Sequence, residues 1–170
     1  MAVGTDSARV DAVDKVTGLA LYPADAVPKD ALHAVVVFTN QPHARLVSMD
    51  LSKTVASPGV VTVVTAADVP VNEYGLTLFD QPVFIGLDDT RRSSVPCDVS
   101  RWEADHLVVV VAESLSEARR ASALIDTEWE LLPMASDVAS AKADEILVHP
   151  GSSTNPYHTL QIRKGDAVLG

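Results

Sequence analysis

The run Leu107-Val-Val-Val-Val-Ala112 constrains the chain most. Four consecutive β-branched residues stiffen the side chains and disfavour helix, while a pleated strand accommodates them well. Six residues are too few to cross a bilayer, which needs about 20 in a helix. The run therefore reads as a buried strand. Leu32-His-Ala-Val-Val-Val-Phe38 repeats the pattern and is expected to be a second buried strand, ended by Asn40-Gln-Pro42. Val60 to Thr65 makes a third, entered through Pro58-Gly59. Ala44 to Asp50 alternates polar and apolar residues, so it predicts a half-buried strand, and Asp126 to Leu131 predicts a last strand that stops at Pro133.

Helical signals are few. Ser114 followed by Glu117 has the spacing of a capping box, in which each side chain satisfies a free backbone N–H. The helix expected near 114–126 carries Leu115, Ala118, Ser122 and Ile125 on one face with Ala121 beside them, and turns Arg119 and Arg120 to solvent. Ser52 to Ala56 predicts a short turn, and Thr65-Ala-Ala-Asp68 can cap another before Pro70. Strands interleaved with few helices argue for an α+β fold rather than a doubly wound sheet. Residues 1–8 read as a loosely held leader, 9–137 as one organised domain and 138–170 as an extended connector. The polar stretch Leu87 to Ser94, with Arg91-Arg92, is expected to be mobile or to lie against a partner.

Charge and composition narrow the function. The net charge is −10 with no basic stripe, which excludes nucleic acid as the expected partner. No apolar stretch reaches membrane-spanning length, and Met1 to Val10 lacks the apolar core of a signal peptide, so the expected location is the cytoplasm. Cys97 is the one cysteine. It excludes an internal disulfide, and also a thiolate zinc site or an iron–sulfur cluster within one chain.

No constellation for catalysis emerges. His33, His43, His106, His149 and His158 include no pair with a helical metal-binding spacing around a glutamate. Glu145 and His149 are four apart but precede Pro150 in a segment that reads as extended. Cys97 follows Pro96 without a visible base, Asp88-Asp89 reads as a self-solvating loop pair, and no serine lies in a Gly-x-Ser-x-Gly elbow. Phosphate-binding glycine patterns are absent, and Gly18, Gly59 and Gly75 are assigned to turns. No catalytic, cofactor-binding or metal-binding residue is therefore assigned.

Several segments in order carry a family resemblance. Arg9-Val-Asp11, Lys15-Val-Thr-Gly18 and Ala20-Leu-Tyr22 with Asp25 come first. Leu32-His-Ala34, Pro42-His-Ala-Arg45 and a strand ending at Asp50 follow. Then come Pro58-Gly-Val60, Thr65-Ala-Ala-Asp-Val-Pro70, Asp80-Gln-Pro82, Val108 to Glu113, and Glu130-Leu-Leu-Pro133 with Asp137. This order resembles the N-terminal α/β-hammerhead portion of the molybdopterin-binding large subunits of the xanthine dehydrogenase, aldehyde oxidase and CO dehydrogenase family. One departure lies at Trp102-Glu-Ala-Asp105, where Ala104 stands at a position usually held by Gly and His106 where Pro or a small residue is common.

The resemblance implies an α/β-hammerhead with a mixed sheet, serving as scaffold in an oxidoreductase that hydroxylates heterocycles or aldehydes with water. It further implies that the molybdenum–molybdopterin pocket and the catalytic glutamate lie in polypeptide beyond this chain, with iron–sulfur clusters as electron carriers of the parent complex and FAD left open as a further one. The implied partners are the remaining molybdopterin-binding domains and an iron–sulfur subunit, and homo-oligomers stay open. The competing reading is a non-enzymatic binding or regulatory module that reuses the fold. Substrate identity is not legible.

Overall fold

A computed structural model describes residue 4 and residues 8–75, 81–87, 96–149, 151–156, 158–162 and 164–166. The expected leader at 1–8 therefore falls largely outside the described residues, as do Asp88-Asp89, Arg91-Arg92 and Asp80. The chain divides into two compact units, Met1–Leu32 and His33–Gly170. In the first, α1 (Ala12–Thr17) ends at Gly18, whose φ of 76° lets its N–H reach back to the Asp14 carbonyl. A 3-10 turn at Pro23–Ala26 follows, in which the Asp25 carboxylate accepts from the Tyr22 N–H at 2.8 Å.

The second unit holds β1 (His33–Phe38), β2 (Ala44–Asp50), α2 (Ser52–Val55), β3 (Val60–Val64), β4 (Val99–Ser100), β5 (His106–Ala112), α3 (Leu115–Ser122), β6 (Asp126–Leu131) and α4 (Val138–Lys142). Among the described residues two three-stranded sheets form, ordered β1-β5-β3 and β4-β2-β6. The expected α+β class holds, with every pairing of these strands antiparallel. The β-branched run of β5 is the central strand of its sheet, between β1 and β3, and is apolar on both faces. Val108, Val110 and Ala112 are fully buried on one of them.

The small face of α3 packs on this sheet. Ala118 and Ala121 are both fully buried, and their lack of bulk lets the helix backbone approach the strands closely. The core joins Val108, Val110 and Ala121 to Leu46 of β2, Ile85 and Leu107, with Met49, Ile125 and Trp129 partly buried around them. Thr54 of α2 is buried and donates its hydroxyl at 3.1 Å to the Ala121 carbonyl, which also accepts the Leu124 N–H at 3.0 Å, so that α2 is tied to the end of α3.

Four expectations are corrected. The helix expected near 114–126 stops at Ser122, since Leu124 and Ile125 turn back to start β6 at Asp126. Its capping box is half formed: the Ser114 Oγ accepts from the Glu117 N–H at 3.3 Å, but the Glu117 carboxylate takes the Ser114 hydroxyl at 2.6 Å rather than the Ser114 N–H. Glu117 sits there against Gly59 (φ 82°), where any side chain would collide with it. Secondly, β1 is not a buried strand. It lies at a sheet edge, with Val36 and Phe38 about 40% exposed (40% and 41%). Thirdly, β4 is a strand that no sequence pattern predicts, formed because Val99 and Ser100 pair with Arg45 and Ala44.

The fourth correction concerns the tail. The segment expected to run extended from residue 138 opens instead with α4, capped by the Asp137 carboxylate on the Ser140 N–H at 2.8 Å. Asp144 ends it at φ 56°. Asn155 then folds back. Its amide donates to the carbonyls of Ala141 and Ile146 at 2.9 and 2.7 Å, and its Oδ1 accepts from the Val148 N–H at 2.9 Å. Local side-chain capping, invisible to apolar periodicity, gives this stretch its shape.

Candidate functional site

Three features of the second unit carry the geometry relevant to function: a buried polar clasp, a small apolar cavity and two contrasting outer sheet faces. The clasp joins the sheets. Thr39, just past β1, and Ser100 of β4 place their hydroxyl oxygens 2.8 Å apart, and both residues are buried. Ser100 Oγ also lies 2.7 Å from the Gln41 carbonyl, to which it donates. Each hydroxyl has one proton, so Ser100 then accepts from Thr39.

The Asp105 carboxylate gathers the next turn. It accepts the backbone N–H groups of Arg101 at 2.7 Å and Trp102 at 3.1 Å, so one residue fixes the 101–105 loop. The Arg101 guanidinium donates to the carbonyls of Val99 and Val148, each at 3.1 Å, and thereby ties the tail to β4. Ala104 sits in this loop. Among the described residues other than glycine, positive φ occurs only at Asn40 and Asp144. Ala104 therefore meets no backbone conflict, and the substitution for Gly leaves the loop intact.

The cavity, about 160 Å³, is lined by Met49, Ala66, Asn72, Gly86, Leu87 and Cys97 among others. Asn72 is 1% exposed, and its side chain is wholly occupied by backbone: its amide donates to the Phe84 carbonyl at 2.9 Å, and its carbonyl accepts the Phe84 N–H at 2.8 Å. Gly86 is required here because an added Cβ would lie 2.5 Å from the Ala66 Cβ. Cys97 is a buried thiol outside any disulfide, and its Sγ donates to the Leu87 carbonyl at 3.7 Å. The walls are apolar, and the polar groups on them are turned into structure rather than toward a ligand.

The histidines do not converge. His43 bonds the Pro133 carbonyl through Nδ1. His106 lies between two rings, 5.6 Å from Phe38 and 6.2 Å from Phe84 between centroids. Among the described residues, no group of three or more His, Cys, Asp or Glu side chains could hold a metal ion. No helix is long and apolar enough to cross a membrane, again among the described residues.

The outer faces of the two sheets differ in chemistry. On β4-β2-β6 the outward cross-strand neighbours are Arg45 with Glu130, Ser48 with Glu128 and Asp50 with Asp126. Arg45 also pairs with Asp98 at 2.6 Å, and Ser48 donates to Glu128 at 3.0 Å. On β1-β5-β3 the face opposite α3 carries the rows Val36–Val109–Val64 and Ala34–Val111–Thr62. It has no charged side chain in those rows and is half-exposed to exposed along all three strands. Sequence reading missed this face, because a β-branched run looks the same whether one or both sides of the strand are covered.

Residues 17–133 match the family described as aldehyde oxidase and xanthine dehydrogenase, a/b hammerhead domain. The chain is 31% identical to the nicotinate dehydrogenase large molybdopterin subunit of Eubacterium barkeri over 166 residues, which is 96% of this chain and 36% of that protein. It is 33% identical to the aldehyde oxidoreductase of Megalodesulfovibrio gigas, again over 96% of this chain but 18% of that protein. Its fold superposes on quinoline 2-oxidoreductase from Pseudomonas putida 86 with a TM-score of 0.70 and 30% identity, covering 85% of this chain and 18% of that one. The chain thus spans only 18–36% of these proteins. A match of this extent, on a fold with the same sheets and few helices, means that the chain belongs to the α/β-hammerhead domain family of aldehyde oxidases and xanthine dehydrogenases.

Proposed function

We propose that this chain is the N-terminal structural part of a molybdenum hydroxylase-type oxidoreductase, as a segment or separately encoded subunit, and has no activity by itself. The reading rests on one observation: nearly the whole chain aligns with relatives in which it spans only 36% and 18% of the length. The relatives' names include a molybdopterin subunit and a molybdenum-binding subunit. The cofactor pocket then belongs to the polypeptide that completes the large subunit. In this reading the parent enzyme oxidises a heterocycle or aldehyde, and iron–sulfur clusters and FAD serve as its electron carriers.

The chain's own contribution is shape. The Thr39–Ser100 clasp and the Asp105 loop fix the two sheets and the tail, and a rigid support is what a pocket assembled from several domains requires. Residues 138–166 lead toward the cofactor-binding region. The partners are the remaining molybdopterin-binding domains and an iron–sulfur subunit, in the cytoplasm, where a thiol such as that of Cys97 stays reduced.

Co-expression with the remainder of the native large subunit tests this. One complex on a sizing column, with molybdenum retained, is the expected result. Separate elution would remove the basis of the proposal, as would molybdenum binding or aldehyde turnover by the 170-residue chain alone.

A further inference from the structure

We infer that the face of β1-β5-β3 opposite α3 is the surface on which the remainder of the large subunit docks. The inference rests on the proposed function and adds to it the side of the domain that is covered. Antiparallel register puts directly paired residues on the same side of a sheet. Val36, Val109 and Val64 therefore form one apolar row across all three strands, and Ala34, Val111 and Thr62 form the next. Phe38 extends the patch at the end of β1 beside His106.

The other side of this sheet is already occupied by Ala118 and Ala121 of α3 and by the core. What remains is a single open apolar face.

Charge distribution separates this face from the other outer surface. The outward face of β4-β2-β6 carries Arg45, Asp50, Asp126, Glu128 and Glu130, as a solvated surface should. A chain of net charge −10 places no charged side chain in the two rows of the β1-β5-β3 face. Contiguous apolar surface of this kind marks a protein contact.

The occupant is the rest of the large subunit. In the relatives, about two to four times this chain's length accompanies the domain, and contacts between domains of one chain cover on the order of 600–1,500 Å².

Thiol footprinting tests the assignment in the assembled protein. Val36→Cys reports on the apolar face and Val47→Cys, on β2 and 54% exposed, on the other sheet. Buried Cys97 serves as the unreactive internal reference. In the complex with the remaining large subunit, maleimide labelling of the Val36→Cys variant is expected to slow at least tenfold relative to the 170-residue chain alone, while the Val47→Cys variant changes less than twofold.

Equal labelling of both positions in a complex that stays together would overturn the assigned face and leave the proposed function standing. Failure of the complex to form would overturn both. Protection of the Val36→Cys variant already in the isolated chain would mean that residues 1–32 or a second copy cover the face, and would also overturn the inference; sedimentation of that sample tells these two apart.

Discussion

The hydroxyl oxygens of Thr39 and Ser100 meet at 2.8 Å, and this contact joins the end of the β1-β5-β3 sheet to the β4-β2-β6 sheet. Sixty-one positions separate the two residues, so neither local propensity nor periodicity favours the contact. It forms because both hydroxyls are excluded from water and find partners in each other and in the backbone.

Replacing Ser100 by Ala takes the donor away from the Gln41 carbonyl and the acceptor away from Thr39. Unsatisfied buried groups of this kind cost about 1–3 kcal/mol. Thr39→Val costs less, about 0.5–1.5 kcal/mol, because Ser100 keeps its bond to Gln41. The double variant is expected to be less destabilised than the sum of the single ones, as measured by urea unfolding at equilibrium.

Gly86→Ala introduces a methyl group 2.5 Å from the Ala66 Cβ in a buried site. Overpacking of this kind destabilises by about 1–3 kcal/mol. Ala66→Gly removes the opposing atom, so combining the two substitutions is expected to restore part of the loss. A thermal melt of the single and double variants reads this directly, and a double variant that melts below both singles would contradict the close approach.

Asn72→Ala strips both partners from the Phe84 backbone. Each orphaned group costs about 1–3 kcal/mol, so the melting temperature is expected to fall by several degrees. Hydrogen exchange at the Phe84 amide is expected to accelerate more than at Val110, which is held by two flanking strands.

Acid is expected to loosen the starts of α2 and α4. The Ser52 N–H beside Asp50 and the Ser140 N–H beside Asp137 hold both carboxyls below their ordinary value of 3.8. Depressed carboxylates add stability that is complete above the unfolded value and is lost as pH falls through the folded one. The loss therefore falls below pH 3.8. Amide NMR shifts of Ser52 and Ser140 are expected to titrate in that range, and both carboxyls titrating above it would refute the assignment.

Much of the fold was legible in the sequence. The five longer strands follow from β-branched runs and from polar–apolar alternation, which report the period of a pleated backbone wherever one side is covered. The Ser114 helix start follows from a side chain that caps a free N–H three residues on. The absence of any convergent catalytic set was the reading of the residues, and the family resemblance carried the function.

Tertiary structure decided the rest. Which side of β5 receives α3 depends on partners distant in the chain, so the open row Val36–Val109–Val64 could not be read from the run itself. The Val99–Ser100 strand exists because Ala44 and Arg45 offer it an edge, and α4 because Asp137 and Asn155 fold the tail on itself. Local pattern determines what a segment can become. Contacts between segments far apart in the chain determine which faces are covered and which stay open.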